Sequence, residues 1–281
     1  MKKTAIKILC LALCALLLAA CAPEADPATS ATTMTPTTTA PTTLPTTLPT
    51  TKPQPRPNPY VPSDFTKDGQ WMVCARGDVR RGIDVSAHQG DIDWEKVKAA
   101  GIEFVIIRIG FRGYGSAGNM VEDAYGLSNL RAARAAGLQV GAYFFSQATS
   151  VAEAEAEAAF ALEILEGFQL DLPLVYDWEY ISDTARTANV TPAELTAFAR
   201  AFCGWVRESG YNPMVYFNEK YAAGRLDPST LGEIPFWFAR YDGVYDVPYS
   251  CYVWQFSNTG RVPGINGNVD LNIMPPILYG Q

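Results

Sequence analysis

Imidazole is almost missing from this sequence: His88 is the one histidine in 281 residues. That excludes histidine-based zinc sites and leaves serine or cysteine nucleophiles without a choice of base. No Gly-x-Ser-x-Gly elbow occurs either. Basic charge is short, with 22 Lys and Arg against 29 Asp and Glu for a net charge of −7. Nucleic acid is therefore not an expected partner. Cysteine is scarcer than its count of six suggests, because Cys10, Cys14 and Cys21 fall at the start of the chain and only Cys74, Cys203 and Cys251 remain. Those three allow at most one internal disulfide, with buried free thiols the equal alternative. The glycine-rich run Gly113-Tyr-Gly-Ser-Ala-Gly118 has no phosphate-loop lysine and opens no helix directly, so it reads as a loop. No metal and no cofactor are expected. Asp91 and Asp93 fit a turn and a helix cap better than a set of cation ligands.

What is present falls into zones. Residues 1–20 combine Met1-Lys2-Lys3 with the apolar run Ile8 to Ala20, the charged and hydrophobic parts of a secretory signal too short for a stable membrane span. Leu18-Ala19-Ala20-Cys21 resembles a bacterial lipobox, which implies lipidation of Cys21 and anchoring to the outer face of the cell membrane. Residues 21–62 are Thr, Pro and Ala with few large apolar side chains, a composition that cannot bury enough surface to fold. As an extended proline-rich tether they would reach on the order of 120 Å. Residues 63–78, with Trp71-Met72-Val73-Cys74, form a short transitional strand or hairpin.

Residues 79–281 alternate apolar strand-like runs with helical segments. Strand-like runs begin at Gly82, Phe104, Gln139, Pro173, Met214, Phe236, Cys251 and Val269. Helical patterns cover Trp94 to Ala100, Val121 to Ala136, Val151 to Leu165 and the stretch from the cap-like Thr191-Pro192 to Ser209. Eight runs with regular crossover helices only in the first half predict an irregular (β/α) barrel of the TIM type, an α/β fold with about eight strands. An open doubly wound sheet is the alternative, but no glycine-rich turn follows the first strand.

Carboxylates fall where a barrel opens. Asp84 closes the first strand, Asp177 and Glu179 close the fourth on one face, and Asp270 lies in the last, which a closed barrel sets beside the first. Around them the sequence offers Tyr143, Tyr176, Trp178, Tyr180, Trp237, Tyr241 and Trp254. Carboxyls among aromatic platforms suit a sugar chain, since ring faces stack on C–H faces and an acid must protonate the leaving oxygen.

Several segments together resemble one family. They are Arg81-Gly-Ile-Asp-Val-Ser-Ala-His-Gln-Gly90 with Ile92-Asp93-Trp94, Tyr143-Phe-Phe145, Tyr176-Asp-Trp-Glu179, Trp237-Phe-Ala-Arg-Tyr241, Trp254-Gln255 and Val269-Asp-Leu-Asn272. The pattern is similar to glycoside hydrolase family 25, the lysozymes of the N-acetylmuramidase type. The resemblance implies a retaining hydrolase of peptidoglycan with Glu179 as general acid, Asp177 stabilising a substrate-assisted intermediate or attacking directly, and Asp84 and Asp270 completing the site. It also implies substrate contacts at Tyr143, Tyr176, Trp178, Trp237, Tyr241, Trp254 and Gln255. Glycan strands are the expected partner, and a monomer the expected state. One departure stands out: many members carry Ser/Thr-Glu-Gly after the second strand, whereas Arg108 is followed here by Ile109-Gly-Phe-Arg-Gly113. The competing readings are a non-catalytic wall-binding lipoprotein and a related glycosidase acting on other N-acetylated glycans.

Overall fold

The structure, a computed structural model, describes residues 55–218, 226 and 228–276. The signal segment, Cys21 and the linker up to residue 54 lie outside the described residues. Residues 55–62, assigned above to the linker, lie against the later loops: Asn58 N donates to Pro248 O at 3.0 Å and its side chain to Val247 O at 2.9 Å. Tyr60 is buried there. The transitional segment is an antiparallel hairpin of β1 (Phe65–Asp68) and β2 (Trp71–Cys74). Phe65 packs on Trp254 and Trp71 on Phe256, so the hairpin seals the outside of the later strands.

Eight strands close into a barrel. In chain order they are β3 (Arg80–Val85), β4 (Phe104–Arg112), β6 (Gln139–Ser146), β7 (Leu174–Trp178), β8 (Pro213–Asn218), β9 (Phe236–Ala239), β10 (Val253–Gly260) and β11 (Val269–Met274). Closure comes from the β3–β4 pairing. β11 runs antiparallel to both β10 and β3, while the other barrel pairs are parallel. Where the sequence suggested a helix from Val121, the chain instead forms β5 (Met120–Glu122), an antiparallel partner for the extended end of β4. The helix α2 starts only at Gly126 and runs to Ala135.

The remaining helices are α1 (Trp94–Ala99), α3 (Val151–Ile164) and α4 (Pro192–Glu208). Their starts are written in the sequence, since Asp93, Ser150 and Thr191 each accept a backbone N–H of the first turn. Thr191 and Glu194 complete a capping box, with Pro192 at the first helical position. Between β8 and β11 no comparable helix appears among the described residues.

Strand alternation divides the core in two. Phe104, Ile106, Val175, Met214, Tyr216, Trp237 and Val253 fill the barrel interior. The strand residues between them, such as Val105, Phe144 and Tyr176, pack with Phe202 of α4 in the layer between barrel and helices. Both faces of most strands are therefore buried, as a helix-wrapped parallel sheet requires. Cys74, Cys203 and Cys251 are free thiols, the latter two buried.

Candidate active site

Asp84, Asp177 and Asp270 sit on inward-facing strand positions at one end of the barrel, and Glu179 follows one residue after β7 ends. Asp270 reaches this mouth because β11 is antiparallel: the start of β11 meets the end of β3, and Asp270 pairs with Asp84 in register. The last strand thus contributes from its N-terminal end, unlike the others.

Asp84 is the most tightly held of the four. Its Oδ2 accepts from Gln255 Nε2 at 2.7 Å and from Asn272 Nδ2 at 2.8 Å. The Gln255 amide is oriented by its neighbours, because Nε2 must face the carboxyl while Oε1 accepts from Tyr241 Oη at 2.7 Å and Tyr216 Oη at 3.4 Å. Asn272 is fixed likewise, with Oδ1 accepting from Trp237 Nε1 at 2.8 Å. Trp237 packs edge-on against Tyr143 and Tyr216, ring centroids 5.9 and 5.0 Å away, and forms the apolar floor of the mouth.

Four carboxyls crowded in a poorly hydrated mouth cannot all ionise near neutrality. Burial pushes Glu179 up to about 7, with the charge of Asp270 adding to the effect. Burial also raises Asp270, to about 6, while a hydrogen bond with Asp84 pulls it back. Asp84 is raised well above the usual range by burial and then by Asp270, against the hydrogen bonds from Asn272 and Gln255. These two carboxyls face each other in register across β3 and β11, so each makes the ionisation of the other harder. Asp177 is raised by burial, then by Glu179 and Asp84, and is opposed by Arg108. Its Oδ1 is buried with no hydrogen-bond partner among the described residues.

Arg108, inward-facing on β4, is the cation of this region. Its Nε donates at 2.7 Å to Oδ2 of the buried Asp123. Asp123 also accepts from Ala87 N at 3.1 Å and Tyr125 N at 3.0 Å, which ties the turn after β3 to the start of α2.

Of the aromatics named from sequence, Tyr143, Trp237 and Tyr241 are brought to the mouth together with Gln255. Tyr176, Trp178 and Trp254 are not. Tyr176 and Trp178 occupy the outward positions of β7; Tyr176 stacks on Phe202 of α4 at 5.1 Å, and its hydroxyl meets Ser146 Oγ at 3.0 Å. Trp254 points out of β10 against Phe65, Tyr245 and Phe256, its Nε1 donating to Arg240 O at 3.1 Å. Strand parity turns these three, expected from sequence to contact sugar, to the opposite face from Asp177 and Gln255, into the layer beneath the helices and hairpin. Tyr216, Asn272 and Arg108 went unassigned in the sequence. The available signal was parity, because Asn272 lies two positions after Asp270 on the same face of β11.

Fold and mouth together define the class, an irregular α/β barrel of the glycoside hydrolase type with its carboxyls gathered at one end. The sequence matches the model of glycosyl hydrolases family 25 over residues 83–265, and the chain belongs to that family. Asp270 lies just beyond the matched span. The chain is 28% identical over 194 residues to the autolytic lysozyme of Clostridium acetobutylicum, covering 68% of this chain but only 55% of that relative. The bacterial lysozyme of Streptomyces coelicolor superposes with a TM-score of 0.56 at 27% identity, covering 70% of this chain and 92% of the other. The modular autolysin LytC of Streptococcus pneumoniae, solved with a synthetic peptidoglycan ligand, shares the fold at a TM-score of 0.63 and 24% identity, covering 75% and 52% of the two chains.

Proposed function

We propose that this chain is a lysozyme that hydrolyses the β-1,4 bond between N-acetylmuramic acid and N-acetylglucosamine in peptidoglycan. The observation that carries it is Glu179, a carboxyl at the barrel mouth pushed up to about 7 and beside the shorter acid Asp177. A carboxyl that keeps its proton near neutrality can protonate the leaving glycosidic oxygen, which an ordinary glutamate rarely does. In the second half of the reaction the same group, now ionised, takes a proton from the attacking water.

Asp177 takes the other role. Its buried Oδ1 finds no donor among the described residues, and the N–H of the sugar's 2-acetamido group supplies one. Held so, the acetamido oxygen attacks the anomeric carbon and forms a cyclic intermediate whose positive charge Asp177 offsets, giving net retention. Asp84 and Asp270 set the charge balance of the mouth by facing each other, and Tyr143 and Tyr241, held by Trp237 and Gln255, supply sugar contacts. We further propose that lipidation at Cys21 anchors the enzyme as a monomer to the outer face of the membrane, with the Thr/Pro-rich linker giving it reach into the wall.

Digestion of purified peptidoglycan followed by identification of the new reducing ends tests the central claim. Muramic acid ends are expected; N-acetylglucosamine ends, or no new ends, overturn it.

A further inference from the structure

A buried polar cluster lies behind Glu179, and the chemistry proposed above makes no use of it. Gln147, fully buried just past β6, donates through Nε2 to the backbone carbonyl of Glu179 at 2.7 Å and to that of Ser146 at 2.8 Å. Its Oε1 accepts from Thr187 Oγ1 at 2.9 Å, and its own carbonyl accepts from Arg186 Nη1 at 2.7 Å. One residue therefore grips both ends of the segment from Glu179 to Thr187. Arg186 is in turn clamped to Glu153 of α3 by two hydrogen bonds of 2.6 and 3.0 Å, so the grip is anchored in the helical layer.

The segment needs such a grip because no strand continues there. Asp177 lies inside the sheet, in register with Phe145 of β6 and Tyr216 of β8. Glu179 lies beyond the last residue of β7, and turns fill the stretch from there to α4. The direction of its side chain then depends on the peptide to which Gln147 is bonded. The amide type matters as well as its size: Nε2 faces two carbonyls and Oε1 faces a hydroxyl, a pairing that a carboxylate cannot make.

We propose that Gln147 is a positioning residue for the proton donor, acting through the Glu179 carbonyl to hold that side chain in the mouth. This rests on Glu179 being the general acid. The test is a kinetic comparison of the full chain and its Gln147→Met variant on peptidoglycan. A loss of about 10- to 100-fold in kcat is expected, the scale of a misplaced catalytic group, with KM little changed. The alkaline limb of the kcat profile is expected to move down by about one pH unit as Glu179 turns toward water.

Ser146→Ala serves as the comparison, because it breaks the hydrogen bonds to Glu157 and Tyr176 in the same cluster without touching Glu179. It is expected to lower Tm and leave the alkaline limb in place. Wild-type kcat and limb in Gln147→Met, or an equal shift in Ser146→Ala, overturn the proposal. If Gln147→Met does not fold, Thr187→Val and Thr187→Ser decide: a smaller shift in valine that serine restores supports the grip, and no shift in valine overturns it. Glu179→Gln in the wild-type background separates the two layers. Full activity there defeats the acid assignment itself, whereas activity lost there alongside a normal Gln147→Met variant defeats only the positioning role.

Discussion

Glu179 stands beyond β7 while Asp177 lies within it, and the two carboxyls inherit different freedoms from that one difference. The strand residue is fixed by ladder hydrogen bonds on both sides. The residue beyond it has no such ladder, so the proposed proton donor depends on what holds its peptide. Substituting Glu179→Gln is expected to reduce turnover by about 100-fold or more, the contribution of a general acid, with the fold intact by circular dichroism. The same variant carries a stability signature. Glu179 and Asp270 are pushed up to about 7 and about 6 in the folded chain, from ordinary values of 4.5 and 3.8. The native state thus binds more protons than the unfolded state in that window. The stability these groups contribute is complete below the unfolded values and is lost as pH rises through the folded ones. Removing Glu179's charge should recover on the order of 3 kcal/mol at pH 8 and almost nothing at pH 4. Melting temperatures of Glu179→Gln and wild type across that range check this, and equal gains at both ends would rule out the titration as the cause.

At the scale of elements, β3, β4 and β11 do most to assemble the mouth. β4 extends to Arg112, and its far end pairs with β5, while Arg112 is buried against Glu157 of α3 with Nε to Oε1 at 2.6 Å. That extension explains why the helix after it starts late. Val121 looks helical in sequence, but the unpaired end of β4 offers it a ladder. The start of the barrel is tighter still. Gly82 pairs with Phe104 across β3 and β4, and a Cβ there would run into the Phe104 ring. Gly82→Ala is therefore expected to destabilise the barrel by about 1–3 kcal/mol through overpacking. Urea denaturation measures it, and a midpoint unchanged from wild type would mean that the ring has room to move.

The described residues form a barrel whose closure, rather than any local motif, brings the acids together. Asp84 meets Gln255 and Asn272 across sequence separations of 171 and 188 residues. At this scale the proposed anchor is also tested. Cys21→Ser is expected to release the protein from membranes into the soluble fraction of a cell extract, while unchanged retention would show that the leader acts in another way. Peptidoglycan digestion by the released form should then persist, since the mouth lies wholly within residues 84–272.

Much of this was legible in the residues. The count of strands and the caps at Asp93, Ser150 and Thr191 follow from local chemistry that needs no partner: apolar run length and side chains able to accept a first-turn N–H. Parity could say that Tyr176 and Trp178 share one face and Asp177 the other; it could not say which face lined the barrel. In a strand buried on both sides the inner and outer residues are equally apolar, so Tyr176, Trp178 and Trp254 looked as fit for the mouth as Trp237 did. Only closure decided between them, by giving one face to the helices and the other to the cleft. It also decided that β11 runs backwards, which alone brings Asp270 opposite Asp84 and leaves the two acids raising each other's resistance to ionisation.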